Sequence, residues 1–281
     1  MNSNTSKVIP VVFMCAGISS RFGGKVKQFS VVGLANETLI EVSMNQAVSA
    51  GFNEIIFIVG NLTKVPFMEK FGDSFNGIPI RYALQSFDLN ERDKPWGTVD
   101  ALVSVFPLIS GSFLVCNGDD LYGESSFKTI FDALSENDTN DCVTLGYELG
   151  SVIPNKGCTN RGVFRTDENG NVVEICEMIG IEKDSLGKVG LTKKDLVSMN
   201  FFGLTRDCIL LLEENLKEFK LIHQRDRKIE CYLPVELGRL AKEKKTKIKL
   251  LKATEQWFGV TNPGDEEIVK RALLEKSTKK S

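Results

Sequence analysis

Residues 8–28 read VIPVVFMCAGISSRFGGKVKQ, an apolar run followed by a loop of small and basic residues. The run from Val8 to Cys15 has the length and composition of a buried β-strand. The loop behind it holds three glycines, one arginine and two lysines. Small residues let a backbone approach a ligand with its N–H groups free, and arginine and lysine supply the positive charge that an anion requires. The segment therefore predicts a strand that leads into an anion-binding loop able to hold a triphosphate.

The overall composition is that of a globular protein. The chain has 281 residues, of which 42% are hydrophobic and 26% charged, values close to the average for soluble domains. Its net charge of −2 gives no reason to expect a nucleic acid or an anionic membrane as partner, and no apolar run approaches the ~20 residues of a membrane span. The seven cysteines include no Cys-x-x-Cys pair. They fit reduced thiols in a cytoplasmic protein better than a disulfide framework.

Strand-like and helix-like segments alternate from residue 8 to about residue 125. The predicted strands are Val8–Cys15, Glu54–Gly60, Ile78–Leu84 and Ser112–Asn117, and the predicted helices are Thr38–Ala50, Pro66–Phe71 and Gly97–Phe106. This alternation favours a parallel sheet with right-handed crossovers, whose ligands bind beyond the carboxyl ends of the strands.

The second half of the chain has a more mixed pattern. A turn at residues 167–170 predicts a hairpin between Gly162–Arg165 and Val172–Ile175. The other predicted strands are Cys142–Glu148, Val197–Leu204 and Lys247–Lys252, and the other predicted helices are Asp207–Glu218, Pro234–Lys244 and Asp265–Leu274. We expect a single domain over residues 1–274 and a charged, frayed tail over residues 275–281.

A pair of acidic residues, Asp119 and Asp120, follows the apolar strand Ser112–Asn117. Carboxylates at the end of a buried strand are unfavourable unless they bind something. They are natural ligands of Mg²⁺, which neutralises substrate phosphates. The alternative is an Asx-type turn with solvated acids.

The loop over residues 16–28 lacks the spacing of a P-loop and of a dinucleotide fingerprint. It resembles the signature of sugar-phosphate nucleotidyltransferases, Ala-Ala-Gly-x-Gly-[Ser/Thr]-Arg followed by a lysine. Cys15-Ala16-Gly17, Ser20-Arg21 and Lys27-Gln28 carry this resemblance.

Further segments resemble the same family in the same order along the chain. Gly118-Asp119-Asp120 is similar to its metal-binding segment, and Trp96-Gly97-Thr98 to its Leu-Gly-Thr segment, where Thr98 is a candidate N-cap. The hairpin over residues 162–177 resembles the family's acceptor hairpin, but Met178 stands at the position of the family's lysine. Residues 257–265 resemble the closing segment, in which a second acidic ligand is replaced by Gly259 or Thr261.

The resemblance implies an α/β fold with a Rossmann-like, mostly parallel mixed sheet flanked by helices in three α/β/α layers, a GT-A-like nucleotidyltransferase fold. Residues 8–125 would form the nucleotide-binding half and residues 126–274 the acceptor-binding half. The implied reaction transfers a nucleoside monophosphate from an NTP to a phosphorylated small-molecule acceptor, most simply a sugar 1-phosphate, and releases pyrophosphate.

The resemblance also implies roles for individual residues. Arg21 and Lys27 would hold the triphosphate and the leaving pyrophosphate, and Asp119 and Asp120 would bind Mg²⁺. The implied nucleotide contacts are Ala16, Gly17, Ser20, Gln85, Gly97 and Thr98, and the implied acceptor contacts are Glu177, Lys183 and Asn200. A glutamine offers both a donor and an acceptor, so Gln85 favours UTP or dTTP.

Two other functions remain open at the level of the sequence. One is a glycosyltransferase that consumes a nucleotide sugar, although such an enzyme has no pyrophosphate for Arg21 and Lys27 to bind. The other is a nucleotide-binding protein without catalytic activity, which Met178 and the absent second acid would favour. The sequence does not indicate an oligomeric state.

Overall fold

A computed structural model of the chain describes residues 7–17, 26–136, 140–154, 157–260 and 264–280. The strands are β1 (Pro10–Cys15), β2 (Glu54–Val59), β3 (Ser74–Phe75), β4 (Ile78–Leu84), β5 (Phe113–Asn117), β6 (Asp120–Leu121), β7 (Cys142–Glu148), β8 (Thr159–Thr166), β9 (Val172–Ile181), β10 (Leu196–Leu204), β11 (Ile248–Lys252) and β12 (Phe258–Gly259). The α-helices are α1 (Leu39–Ala50), α2 (Lys64–Phe71), α3 (Thr98–Val103), α4 (Glu124–Ser135), α5 (Leu149–Val152), α6 (Arg206–Ile222), α7 (Leu233–Lys242) and α8 (Asp265–Lys280). Short 3₁₀ helices cover Lys27–Phe29, Phe106–Leu108 and Leu186–Val189.

The main sheet is mixed, with a parallel centre. Its strand order is β11-β7-β10-β5-β1-β2-β4-β3, and β8 and β9 extend it from β10. The pairs β5-β1, β1-β2, β2-β4 and β11-β7 are parallel, whereas β10 runs antiparallel to β5, β7 and β8. Because β10 lies between β5 and β7, the second half of the chain completes the same sheet that the first half begins. The predicted mostly parallel mixed sheet is confirmed.

Helices cover both faces of this sheet and form the two outer layers. One apolar core lies between the sheet and α1, α2 and α4, and includes Phe13, Phe57 and Phe127. A second core lies on the other face against α3, α6 and α7. The alternating side chains of each central strand supply both cores, since successive residues point to opposite faces. The predicted three-layer arrangement is therefore also present.

The helix α1 shows how local sequence sets an element. Thr38 and Glu41 form a capping box at its start, in which each side chain bonds the other residue's backbone. Gly51, with a φ of 117°, ends it in a conformation that favours glycine. The predicted helix over residues 38–50 therefore agrees with the structure to within one residue.

Some predicted elements differ in extent. The charged residues after Leu274 continue α8 to Lys280 rather than fraying, because lysine and glutamate are good helix formers. The predicted helix Gly97–Phe106 divides into α3 and a 3₁₀ turn. The hairpin strands β8 and β9 are longer than predicted, since their pairing extends from Thr159 to Ile181. In the described residues, no helix is long and apolar enough to cross a membrane.

Candidate active site

The carboxyl ends of β1 and β5 lie side by side, which brings the first residues after β1 and the acidic pair close together. The two strands are parallel with Met14 opposite Asn117, and the backbone N–H of Gly118 donates to Met14 at 3.1 Å. Lys27, in the 3₁₀ turn after the loop, forms an ion pair with the carboxylate of Asp119. Their side chains are 16% and 29% exposed, so a ligand can reach both. Lys27 and Asp119, one of the predicted basic residues and one of the predicted acidic residues, therefore meet at one edge of the sheet.

Asp120 is the buried member of the acidic pair. It begins the short strand β6, which pairs with β12 so that Asp120 lies opposite Gly259. Its Oδ2 accepts a hydrogen bond from the Nδ2 of Asn117 at 2.7 Å, and the Tyr122 hydroxyl oxygen lies 3.2 Å away from it. Burial and the neighbouring charge of Asp119 raise the pKa of Asp120 to about 7, against the hydrogen bond from Asn117. Two adjacent carboxylates of this kind favour a bound cation.

Asn200 is linked to this acidic pair through Asn117. The Nδ2 of Asn200 donates to the Oδ1 of Asn117 at 3.3 Å. Asn200 lies at an irregularity of β10, between Ser198 and Phe202, and has a φ of 56° that asparagine tolerates better than most residues. The hydroxyl of Tyr122 donates to the carbonyl of Met199 at 2.8 Å, which holds this irregular segment beside Asp120.

A cavity of about 390 Å³ opens at this edge and collects residues from both halves of the chain. Six of the predicted site residues line it: Lys27, Thr98, Asp119, Asp120, Glu177 and Asn200. Burial raises the pKa of Glu177, and the charge of Arg161 opposes this shift. The cavity thus combines a cation and two acids from the first half of the chain with an acid and an amide from the second half.

The predicted base-binding residues lie at the neighbouring strand ends. Ala16 and Gly17 follow β1, and a Cβ at Gly60, just after β2, would come within 2.8 Å of the Ala16 carbonyl oxygen. Gln85 follows β4 and is buried, and its Nε2 donates to Gly97 O and to Asp100 Oδ2, both at 3.0 Å. Both amide hydrogens are therefore in use, so only the acceptor oxygen of Gln85 remains for a base. Its side chain lines a different cavity, of about 250 Å³, beside Asp100.

The turn at Gly97 and Thr98 joins this region to the segment before α7. Gly97, not Thr98, is the N-cap of α3, so the predicted capping role of Thr98 is wrong. The hydroxyl of Thr98 instead accepts a hydrogen bond from the backbone N–H of Leu233 at 2.8 Å. A Cβ at Gly97, whose φ is 99°, would lie 2.6 Å from the Cys231 carbonyl oxygen. Only glycine fits this contact.

Other predicted residues are not brought to the cavity or fall outside the described residues. Ser20, Arg21 and Thr261 belong to the latter group. Lys183 follows β9 and does not line the cavity. Gly259 lies against Asp120, and a Cβ there would come within 2.5 Å of the Trp257 ring. Trp257 therefore occupies the space that a side chain at position 259 would need.

Among the lining residues that sequence reasoning did not predict are Arg161 and Trp257. Arg161 lies in β8 directly opposite Met178 of β9, and its guanidinium is 5.8 Å from the centroid of the Trp257 ring. Trp257 begins the resembling segment 257–265, and Arg161 directly precedes the resembling hairpin 162–177. An arginine next to the glycine of the acceptor hairpin was the available signal.

The residues present fit a magnesium ion supplied with its substrate. No group of three or more His, Cys, Asp or Glu side chains in the described part of the chain is arranged to hold a metal. Mg²⁺ needs only one or two protein carboxylates, however, because phosphates and water provide its other ligands. Asp119 and Asp120 satisfy that requirement, because both carboxylates line the same cavity.

Comparison with known protein families gives one match that covers more than half of the chain. The profile described as "Nucleotidyl transferase" matches residues 24–225. The chain belongs to the nucleotidyl transferase family. The resemblance seen in the sequence is thereby confirmed, and with it the assignment of the chain as a nucleotidyltransferase enzyme. A search of curated proteins found no significant match.

Solved structures of the same fold are also named as nucleotidyltransferases. The inositol-1-phosphate CTP transferase from T. maritima has a TM-score of 0.66 and 15% identity over 96% of this chain and 97% of its own. A putative glucose-1-phosphate thymidylyltransferase from Bacillus anthracis has a TM-score of 0.69 and 13% identity over 95% of each chain. A UDP-glucose pyrophosphorylase complexed with UDP-glucose has a TM-score of 0.64 and 16% identity over 96% and 100%. At these identities the likeness establishes the nucleotidyltransferase fold.

Proposed function

We propose that this nucleotidyltransferase transfers a nucleoside monophosphate from an NTP to a phosphorylated acceptor, most simply a sugar 1-phosphate, and releases pyrophosphate. The observation that carries the proposal is the ion pair of Lys27 with Asp119, beside Asp120, in a cavity shared with Glu177 and Asn200. A cation that binds phosphate and acids that bind Mg²⁺ thus lie within one cavity.

The reaction needs positioning and charge stabilisation more than covalent help from the protein. The acceptor phosphate attacks the α-phosphorus in line, and positive charge stabilises the transition state. Lys27, with Arg21 from the preceding loop, would bind the triphosphate and then the leaving pyrophosphate. Asp119 and Asp120 would hold a Mg²⁺ ion, which supplies charge neutralisation at the phosphate oxygens. Lys27 would exchange its carboxylate partner for a phosphate as the nucleotide enters.

The nucleoside would lie over the ends of β1, β2 and β4. Ala16, Gly17, Ser20, Gly97 and Thr98 are the proposed contacts on this side. Gln85 would contribute its oxygen as an acceptor from a base N–H, which suits the imide of uracil or thymine and also the amino group of cytosine. The preference for UTP or dTTP therefore stays a prediction, and CTP belongs in any test.

The acceptor would lie against β8, β9 and β10. Asn200 and Glu177 can contact its hydroxyl groups, whereas an acceptor role for Lys183 stays a prediction from the sequence alone. The named activities of structures with this fold support a 1-phosphate acceptor, since they include an inositol-1-phosphate transferase and a putative glucose-1-phosphate transferase. The expected cytoplasmic location and the absence of nucleic-acid and membrane partners also stay predictions.

A pyrophosphate-release screen tests this proposal. Purified protein with Mg²⁺ is combined with each NTP and dNTP and with a panel of phosphorylated acceptors that includes sugar 1-phosphates, inositol 1-phosphate and phosphocholine. We expect pyrophosphate release that depends on one acceptor class and stops on chelation of the metal. Consumption of a nucleotide sugar without pyrophosphate exchange would instead indicate a glycosyltransferase, and NTP binding without any product would indicate a non-catalytic protein.

A further inference from the structure

Among the residues that line this cavity, three buried polar atoms have no hydrogen-bond partner in the described part of the chain. The Nε1 of Trp257, a donor, is one of them. The other two are opposite in character. One is the Nε of Arg161, a donor, and the other is the Oδ1 of Asn200, an acceptor. Buried polar groups in folded proteins are nearly always paired, so such atoms are most simply explained by a ligand that pairs with them. The ligand must then present an acceptor or anion to Arg161 and a hydrogen-bond donor to Asn200.

The orientation of Asn200 follows from a relay that begins at Asp120. In its ionised form Asp120 can only accept, and Asn117 turns its Nδ2 toward the Asp120 Oδ2, at 2.7 Å. The Oδ1 of Asn117 then faces Asn200 and accepts a hydrogen bond from the Asn200 Nδ2, at 3.3 Å. The Oδ1 of Asn200 is then left as the free acceptor. Asp120 thus determines, through two amides, that the acceptor side of the cavity offers a carbonyl oxygen.

Arg161 is held in place without neutralising its charge. Its Nη1 and Nη2 donate to the backbone carbonyls of Asn160 at 2.9 Å and Val152 at 3.2 Å. It forms no ion pair with a carboxylate of the described residues, although Asp120 and Glu177 are near enough to act on it electrostatically. Burial lowers the pKa of Arg161 from its ordinary value, yet an arginine remains charged at neutral pH. A half-buried cation bound only to carbonyls is well suited to an anion.

We propose that Arg161 is the specificity-determining cation of the acceptor site: its N–H groups bind the anionic group of the acceptor, while the Asn200 oxygen accepts from an acceptor hydroxyl. The site then selects phosphate esters that carry hydroxyl groups. It disfavours phosphocholine, which has no hydrogen-bond donor for Asn200 and brings a positive headgroup toward Arg161. This inference rests on the proposed function in that it assumes a phosphorylated acceptor in this cavity.

Equilibrium binding without NTP tests the inference independently of turnover. The probes are α-D-glucose 1-phosphate, methyl phosphate and phosphocholine, titrated into the full-length protein and followed by calorimetry and by NMR of the arginine Nε–H signals. The variants are Arg161→Gln, Arg161→Lys and Asn200→Gly, the last chosen because glycine tolerates the positive φ of that position. Arg165→Gln is the matched control, because Arg165 lies on the same strand but pairs with Asp195 away from the cavity.

We expect Arg161→Gln to weaken glucose 1-phosphate binding by about 10-fold to 100-fold, Arg161→Lys to weaken it less, and Arg165→Gln to leave it unchanged. Asn200→Gly should reduce the preference for glucose 1-phosphate over methyl phosphate. Unchanged binding by both folded Arg161 variants would overturn the proposal. So would a wild-type protein that binds no phosphate ester, or that binds phosphocholine as tightly as glucose 1-phosphate.

Kinetics separate failure of this inference from failure of the proposed function. If transfer occurs and Arg161→Gln leaves the acceptor KM unchanged, the role of Arg161 is wrong and the function stands. If phosphate-ester binding depends on Arg161 but no NTP is ever consumed, the function is wrong and the binding site stands. A rise in the acceptor KM with an unchanged KM for the NTP would support both.

Discussion

Replacement of Gly97 by alanine should destabilise the protein more than replacement of a glycine in open space. The φ of 99° and ψ of −166° at Gly97 belong to a region almost restricted to glycine, and a residue with a side chain costs about 1–3 kcal/mol there. The new Cβ would also lie 2.6 Å from the oxygen and 2.7 Å from the nitrogen of Cys231. Relief of such overpacking costs a further ~1–3 kcal/mol. We therefore expect a loss of about 4 kcal/mol in the free energy of unfolding.

This loss converts into a measurable change in Tm. An unfolding entropy of about 2.1 cal/mol/K per residue gives about 0.6 kcal/mol/K for the 281 residues, so Tm should fall by about 7 °C. Two control variants separate the cost of the positive φ from the cost of the overlap with Cys231. Gly77→Ala has a positive φ but no atom within 4 Å of its new Cβ, and Gly111→Ala has neither strain nor a neighbour. Calorimetry should rank the losses Gly97 > Gly77 > Gly111.

The same substitution should raise the KM for the NTP, because the Gly97 carbonyl holds Gln85 beside the proposed base site. Acceptor KM should change less. The reasoning is refuted if Gly97→Ala melts within about 1 °C of Gly111→Ala.

Three further predictions concern charge and space around the site. Lys27→Ala should lower turnover by about 100-fold or more. Its Tm should change little, because a partly exposed ion pair contributes only ~0–1 kcal/mol to stability. The control Lys128→Ala breaks an exposed ion pair with Asp132 and should leave turnover unchanged. Gly259→Asp should not create a useful metal ligand, because the new side chain would contact the Trp257 ring and lower the unfolding free energy by about 1–3 kcal/mol. In the double variant, Trp257→Ala removes this contact and should restore part of the loss, as measured by urea unfolding. Partial burial raises the pKa of Glu41, but hydrogen bonds from Thr38 and the charge of Lys70 outweigh burial and hold that pKa below its ordinary value. The ionised Glu41 side chain therefore stabilises the fold fully above the pKa of an unfolded glutamate. This stabilisation disappears as the pH falls through the pKa of Glu41 in the folded protein. Wild-type protein should therefore exceed Glu41→Gln in unfolding free energy at about pH 7 and lose that advantage at about pH 3, and a constant difference would contradict the assigned hydrogen bonds.

The sequence predicted best the elements that are apolar runs bounded by turn residues. Ile78–Leu84 and Cys142–Glu148 have the predicted bounds, because apolar strands between turn residues are local signals. The two-residue strands β6 and β12 were missed, since two residues show no periodicity and their pairing joins positions far apart in the chain.

The candidate site was predictable on the nucleotide side and less so on the acceptor side. Lys27 and Asp119 follow strands that become neighbours in a parallel sheet, so their meeting follows from topology. The role of Arg161 depends on its pairing with β9 and on Trp257, almost a hundred positions away, and no local pattern reports such a contact. The engagement of both Gln85 amide hydrogens is likewise a tertiary feature, set by Gly97 and Asp100.

The most direct test of the central claim is the rate of pyrophosphate release by Asp119→Ala, with the NTP and acceptor that the screen identifies. Asp132→Ala, which removes an exposed acid outside the cavity, is the matched control. If Lys27, Asp119 and Asp120 form the site of nucleotidyl transfer, Asp119→Ala should keep its fold and Tm and lose at least about 100-fold in turnover, while Asp132→Ala retains full activity. Normal pyrophosphate release by a folded Asp119→Ala protein would contradict the account.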